Sequence, residues 1–297
     1  MPSEPVIRTW ELTKHFGSVR ALEDLDLTVE HGEVFGYLGP NGAGKTTTIR
    51  LLLDFLRPTS GRAEVLGGSG ADPRVRARVG YLPAELSIDP RYTTSDLLDF
   101  YGGLRGGHDP GWVAALLDRF DLDPRRPVGE LSTGNRRKVG IVQAVAHRPE
   151  LLLLDEPSSG LDPLLQHQFQ LLVRELAADG ASVFLSSHVL PEVEVLARRV
   201  AILRAGRLVT VAGVDELRRQ ARQRIDLHLA GPADPAAFLG VPGVVEVRAG
   251  DGTLQLVVEG SADQVVKAAA RLEVLRVVTH DADLEDVFLR YYQEEQS

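Results

Sequence analysis

Cysteine is absent from this sequence of 297 residues. Without it the chain can form no disulfide, no cysteine-ligated zinc site and no thiol nucleophile. Long apolar runs are absent too, because no segment approaches the ~18–20 apolar residues that a membrane-spanning helix needs. The start, Met1 to Pro5, has neither the basic residues nor the apolar core of a secretory signal. These absences fit a cytosolic protein.

An excess of positive charge is also absent, since acidic residues outnumber basic ones by 42 to 33 and the formal net charge is −9. A dedicated nucleic-acid binder usually shows a basic face, so this balance argues against that class. The basic clusters are short, and we interpret each as a solvated helix face: Arg74/Arg76/Arg78 and Arg136-Arg137-Lys138. The hydrophobic share of 43% and the charged share of 25% are ordinary for a globular protein. The length suits one large domain, alone or with a small appendage.

The most informative segment fits the phosphate-binding pattern G-x-x-x-x-G-K-[ST]. It follows the apolar run 34–38, which predicts a buried strand, and precedes a predicted helix over 46–56. A strand–loop–helix directs backbone N–H groups and a positive helix end at an anion. The segment is Gly39-Pro40-Asn41-Gly42-Ala43-Gly44-Lys45-Thr46-Thr47.

In this pattern the lysine and the hydroxyl after it carry separate roles. Lys45 supplies a positive charge for the β- and γ-phosphates, and the Thr46 hydroxyl can bind Mg²⁺. The alternative is a glycine-rich turn beside a solvated lysine, which the strand and helix around the loop disfavour. The segment therefore predicts a nucleoside triphosphate site, without saying what the energy drives.

Strands alternate with helices along the first two thirds of the chain, which predicts an α/β sheet. A helical, loop-rich stretch covers about 92–147, where Thr94 or Ser95 is the expected cap of the first helix. Predicted strands lie at 6–12, 19–29, 33–38, 62–66, 79–82, 151–155, 182–186, 199–203 and 207–212. Further helices are predicted at 133–147, 163–178 and 190–197.

A second, smaller module follows a polar helical stretch over 215–224. Strands at 225–229, 243–249, 252–258 and 274–278 alternate with helices near 233–239 and at 262–271, an order typical of a ferredoxin-like fold. Asp251-Gly252 predicts a hairpin, and Ser261 with Gln264 predicts a capping box. A last helix is expected over 283–293.

Two further segments supply candidate catalytic groups. Asp155 and Glu156 follow four leucines, and the carboxyl end of a central strand is where ligands bind in such sheets. Asp155 is placed to hold Mg²⁺, and Glu156 is a candidate general base for the attacking water. His188 follows an apolar strand and can hydrogen-bond the γ-phosphate or the water. The alternatives are a surface Asp-Glu pair and a structural histidine.

Together these segments resemble the nucleotide-binding subunit of ATP-binding-cassette transporters, over residues 6 to about 212. Leu131-Ser132-Thr133-Gly134-Asn135 stands where that family has its signature, and Ser159-Gly160-Leu161-Asp162 matches the loop after the second acid. Phe16 stands where the family stacks an aromatic ring on adenine. His188 matches the family's switch histidine.

The resemblance implies a Mg²⁺-dependent ATPase whose two copies sandwich two ATP molecules head to tail. Ser132, Gly134 and Asp162 of one copy would then complete the site of the other. The implied fold is a P-loop NTPase cassette over 1–217, with a helical subdomain at about 84–147. An α+β, ferredoxin-like accessory domain would occupy 218–297.

The sequence departs from the family pattern at two places. Thr133 and Asn135 replace Gly and Gln of the signature, while the expected phosphate contacts Ser132 and Gly134 are retained. Ala84 follows Pro83 where the family usually has Gln, so Glu85 would have to substitute by a shift of one residue.

The small module and the ending 283–289 look like the bacterial drug- and antibiotic-export branch. A separate membrane permease is then the expected partner, with the chain on the cytoplasmic face of the cell membrane. Two alternatives remain: an ATPase of this fold with no role in transport, and a regulatory nucleotide-binding module impaired in hydrolysis.

Overall fold

The computed structural model describes residues 4–220, 222–250 and 252–280. The chain divides into two compact units, with the boundary between Val211 and Ala212. The described residues contain no helix with the length and apolar character that crossing a bilayer requires.

The first unit alternates strands and helices from Ile7 onward, and its last strand continues two residues past the division. In chain order its elements are β1 (Ile7–Phe16), β2 (Val19–Val29), β3 (Val34–Leu38), α1 (Lys45–Leu52), β4 (Ser60–Val65), α2 (Pro73–Ala77), β5 (Val79–Leu82), α3 (Thr94–Leu104), α4 (Pro110–Arg119), α5 (Thr133–Val145), β6 (Leu151–Asp155), α6 (Pro163–Ala178), β7 (Ser182–Ser187), α7 (Leu190–Glu194), β8 (Arg199–Arg204) and β9 (Arg207–Gly213).

The main sheet has six strands in the order β5-β6-β7-β3-β8-β9. Its pairs from β5 to β8 are parallel. Every residue of β3, β6 and β7 is buried, as expected for strands covered on both faces. Because these strands are parallel, their carboxyl ends lie along one edge. The phosphate loop, Asp155 and His188 therefore all lie at this edge, where β3, β6 and β7 end.

A smaller antiparallel sheet, β2-β1-β4, lies in the same unit. Register shifts interrupt the pairing of β1 with β2 after Thr9, after Leu12 and after Lys14. Its apolar side chains share one core with the main sheet, including Leu12, Phe35 and Tyr37. The first strand extends to Phe16, beyond the predicted end at residue 12.

The helical segment 92–147 differs from the prediction at its start. The cap of α3 is Thr93, whose hydroxyl accepts from the Asp96 backbone N–H, while the Asp96 carboxylate accepts from the Thr93 N–H. The predicted caps Thr94 and Ser95 are therefore wrong by one and two residues. Thr94 is fully buried, so its side chain serves packing instead.

The second unit contains α8 (Val214–Gln220), β10 (Arg222–Leu229), β11 (Val244–Gly250), β12 (Thr253–Glu259), α9 (Asp263–Ala269) and β13 (Val274–His280). Its sheet is antiparallel in the order β13-β10-β12-β11. One face of this sheet builds a separate core with Phe238 and Val265.

Two expectations for this unit are wrong in detail. The helix predicted near 233–239 is a single 3₁₀ turn, Pro235–Ala237, because the turn ends where Phe238 enters the core. The Ser261–Gln264 capping box does not form, since Gln264 donates to Asp263 and α9 has no side-chain cap. The helix expected over 283–293 lies outside the described residues.

Candidate functional site

The phosphate loop leaves β3 at its carboxyl end and leads directly into α1. Gly44 precedes the helix with a φ of 108°, and a Cβ there would lie 2.4 Å from the Ala21 carbonyl oxygen. A Cβ on Gly39 would lie 2.5 Å from the Leu203 carbonyl oxygen. These two positions therefore require glycine. No side chain caps α1, which leaves its first N–H groups available for an anion.

Lys45 is held within the loop by its own backbone. It is 6% exposed, and its Nζ donates to the Gly39 carbonyl at 2.6 Å and to the Pro40 carbonyl at 3.2 Å. The same Nζ forms an ion pair with Glu156 Oε1 at 3.0 Å. The ammonium group is thus placed at the loop before any phosphate arrives.

Asp155 ends β6 and is fully buried. Its Oδ1 accepts a 2.6 Å hydrogen bond from the Ser186 hydroxyl. Its Oδ2 is buried without a hydrogen-bond partner among the described residues. A buried carboxylate oxygen without a partner costs free energy unless a cation or a donor reaches it. This oxygen therefore fits a divalent cation.

Glu156 and His188 meet at the same edge. Glu156 has a φ of 48°, a left-handed conformation that is costly for a residue with a Cβ. Its backbone N–H donates to the Ser186 carbonyl at 3.1 Å. His188 Nδ1 lies 2.7 Å from Glu156 Oε2, so the carboxylate lies between the imidazole and Lys45. This arrangement can hold a water for attack on a phosphate.

An open cleft of about 310 Å³ borders these groups. It includes most of the predicted loop residues and Glu156, and it also includes Ala84. Its lining residues are Val19, Arg20, Ala21, Asn41, Gly42, Gly44, Lys45, Thr46, Thr47, Ala84 and Glu156. Of the remaining loop residues, Gly39 and Ala43 are buried and Pro40 is exposed.

Phe16 lies at the end of β1, outside the lining of this cleft. Its ring is 47% exposed, and Lys14 Nζ lies 5.0 Å from the ring centroid. Its strand partner Val19 does line the cleft. The ring is therefore close to the cleft in the fold, with exposed area available for a planar base.

The structure does not bring the signature residues to this cleft. Ser132 caps α5 by accepting from the Asn135 N–H at 3.2 Å, and its side chain is exposed. A Cβ on Gly134 would meet nothing closer than 3.9 Å. Asp162 caps α6 by accepting from the Leu165 N–H at 2.9 Å, and it too is exposed. In one chain these residues stabilise helix starts.

Two other expectations can be compared with the structure. Glu85 is exposed and does not line the cleft, whereas Ala84 does, so the shift of one residue is not seen in this conformation. The interpretation of residues 136–138 as a solvated helix face is wrong for Arg137, which is 5% exposed. Arg137 lies four residues before the buried Ile141, and this spacing was the signal in the sequence.

Arg137 and Ser186 are the site residues that the sequence analysis missed. Ser186 holds Asp155 and Glu156, as described above. Burial lowers the pKa of the Arg137 guanidinium, while the charges of Asp155 and Glu156 act in the opposite direction. Neither residue belongs to a motif that the phosphate chemistry requires, so the helical spacing to Ile141 was the one signal for Arg137 and no pattern marked Ser186.

The parallel sheet, the phosphate loop and the acidic strand end define a nucleotide-binding protein of the P-loop class. A family model described as "ABC transporter" matches residues 22–159. Curated relatives share 34% and 32% identity with it over 75% or more of both chains, so the chain belongs to the ATP-binding proteins of this ABC transporter family.

Two curated relatives and one solved structure show how far the similarity extends. The bacitracin transport ATP-binding protein BcrA of Bacillus licheniformis is 34% identical over 76% of this chain and 75% of its own length. Nod factor export ATP-binding protein I of Ralstonia nicotianae is 32% identical over 97% of this chain and 94% of its own. A structure of an ATP-binding subunit of an ABC transporter aligns with a TM-score of 0.67 at 30% identity, covering 72% of this chain and 92% of that one.

Proposed function

We propose that this protein is the ATP-hydrolysing subunit of a bacterial exporter, acting with a separate membrane permease at the cytoplasmic face. The observation that carries the hydrolytic part is the contact of Glu156 with both Lys45 and His188 at the mouth of the phosphate loop. The similarity to a Nod factor export protein along 97% of the chain supports the export part.

In the proposed reaction the Lys45 ammonium group binds the β- and γ-phosphates. These phosphates displace the Glu156 carboxylate from its ion pair with Lys45. Glu156, released from that ion pair, accepts a proton from the attacking water as general base. His188 keeps the carboxylate and the water aligned. The phosphate loop N–H groups stabilise the charge on the transferred group.

Magnesium fits the donors at this site. The described residues contain no cluster of three or more His, Cys, Asp or Glu that could hold a metal alone. The partnerless Asp155 Oδ2 and the Thr46 hydroxyl would therefore hold Mg²⁺ together with phosphate oxygens. When bound, the ion supplies charge neutralisation at the phosphates.

We further propose that a second copy completes each site. Ser132, Gly134 and Asp162 lie outside the cleft, and Ser132 and Asp162 are exposed, which supports their use by a neighbouring chain. Phe16 would stack on the adenine ring. The order β13-β10-β12-β11 supports a ferredoxin-like accessory domain. We propose that this domain occupies 218–297 and the cassette 1–217, a boundary slightly beyond the division of the structure between Val211 and Ala212.

The hydrolytic proposal is tested with Glu156→Gln, which keeps the shape of the side chain and removes its basicity. We expect ATP turnover to fall at least ~100-fold while ATP still binds and holds a dimer on size-exclusion chromatography. Glu64→Gln is the matched control, since it makes the same charge change on the exposed face of β4. Turnover at the wild-type rate in Glu156→Gln would remove Glu156 from its role.

The export proposal is tested through the neighbouring gene. We expect it to encode a permease with six membrane spans that co-purifies with this protein. A gene without such a neighbour, or a permease that does not bind this chain, would favour an ATPase with no role in transport.

A further inference from the structure

Arg137 lies in the second turn of α5 and is almost completely buried, whereas the preceding Arg136 is exposed. A buried guanidinium is costly unless its charge and all its N–H groups find partners. The hydrogen-bond partners of Arg137 therefore explain how its burial is tolerated.

Each of the five N–H donors of this guanidinium reaches a backbone carbonyl oxygen. Nη1 donates to Pro83 at 2.6 Å and to Ala84 at 3.1 Å. Nη2 donates to Asp155 at 3.2 Å and to Glu156 at 2.7 Å, and Nε donates to Pro157 at 3.1 Å. A guanidinium has five donors in one plane, so no donor is left over.

These carbonyls lie at the end of β6 and in the two loops that follow the adjacent strands β5 and β6. Pro83 and Ala84 follow β5, and Glu156 and Pro157 follow β6, at the edge that holds the cleft. Both Ala84 and Glu156 line that cleft. The helix that carries Arg137 begins at the cap Ser132. One side chain thus joins the signature helix to both loops.

We propose that Arg137 is a positioning residue for ATP hydrolysis, which holds the backbone of Ala84 and Glu156 so that the Glu156 carboxylate faces Lys45. This inference rests on the proposed function of Glu156. It also accounts for Ala84, because the loop after β5 is held through its carbonyl groups and needs no polar side chain at that position. The left-handed backbone of Glu156 is held from both sides, by Arg137 at its carbonyl and by Ser186 at its N–H.

Arginine is specific for this task. A lysine ammonium has three donors on a flexible stem and cannot reach five carbonyls arranged around a plane. Arg137→Lys therefore keeps the charge and loses the geometry. Arg136→Lys makes the same change one residue earlier at an exposed position, so it is the matched control.

The test measures ATP turnover and nucleotide affinity for both variants. We expect Arg137→Lys to lower kcat at least ~10-fold, because a small displacement of a catalytic group is costly. The KM for ATP should stay within about twofold, since Arg137 neither touches the phosphate loop nor lines the cleft itself. Arg136→Lys should change neither quantity. A kcat for Arg137→Lys within twofold of wild type, or a loss confined to KM, would overturn the inference.

Hydrogen exchange separates this inference from the proposed function. We expect faster amide exchange at 84–87 and 156–159 in Arg137→Lys, relative to wild type and to Arg136→Lys. Unchanged exchange overturns the role of Arg137, whatever Glu156→Gln does to turnover. If Arg137→Lys does not fold, Arg137→Gln, which keeps two N–H donors for these carbonyls, serves for the same measurements, with the same two outcomes.

Discussion

The phosphate loop and the signature segment are built in opposite ways. Lys45 is buried, with two carbonyls and a carboxylate around its ammonium group. Ser132 is exposed, and its hydroxyl has one backbone N–H as partner. The first region is preorganised within one chain, whereas the second presents a helix start to its surroundings. This difference supports the proposal that two copies share each site.

Removal of the Lys45 charge tests the preorganised region and has the largest expected effect. Lys45→Ala should weaken ATP binding at least ~100-fold, about 3 kcal/mol, because the phosphates lose a charge-assisted partner in a buried position. Isothermal titration calorimetry measures it. Lys267→Ala is the control, since Lys267 forms an exposed ion pair in the second unit. Unchanged affinity in Lys45→Ala would contradict the loop assignment.

The exposed region is tested with Ser132→Asp, because aspartate still caps α5 but places a negative charge where phosphate is expected. We expect turnover to fall ~100-fold with the thermal midpoint unchanged. Ser132→Asn keeps the cap without the charge and should lose less.

Mixing the two defective chains tests whether the site is shared. An equal mixture of Lys45→Ala and Ser132→Asp chains should recover roughly a quarter of the wild-type rate, because half of the dimers are mixed and each has one intact site. An inactive mixture that does form mixed dimers would place Ser132 outside the partner's site.

Alanine substitutions at two glycines test whether each glycine is required by the backbone conformation or by the bound ligand. Gly44→Ala should lower stability by about 3 kcal/mol or more, because a Cβ meets the Ala21 carbonyl at 2.4 Å and φ is 108°. Gly134→Ala should lose nothing and gain up to about 1 kcal/mol, since its nearest contact is 3.9 Å. The stability of both variants is measured by thermal unfolding. Equal losses would show that Gly134 serves the fold.

The limits of helices and strands were predicted best where local sequence patterns agree with burial in the fold. The limits of β6 and α6 match the predicted 151–155 and 163–178, because a run of leucines and a Pro after the Asp162 cap mark them unambiguously. The sequence did not locate helix starts where several neighbouring residues can cap. Thr93 caps α3, whereas Thr94 or Ser95 was predicted.

Long-range contacts were beyond local patterns. Arg137 is a basic residue between two others, and only the meeting of the two loops at 83–84 and 155–157 makes its burial favourable. The Ser186 contacts arise in the same way, from strand order in the sheet. The phosphate loop was predictable because its chemistry requires fixed residue types at fixed spacing.

The smallest expected effect concerns the far end of α5, where His147 is partly buried after the helix. Burial lowers the pKa of His147 from 6.5 to about 4, with a further contribution from Arg105. The unfolded chain then binds more protons between pH 6.5 and 4, so stability is lost as pH falls through that window. The loss at pH 5.5 should be about 1 kcal/mol. His147→Gln should lose this part of the pH dependence in denaturant titrations at pH 7.5 and 5.5. His167→Gln, at an exposed position on α6, should retain it, and equal slopes in both variants would contradict the assignment to His147.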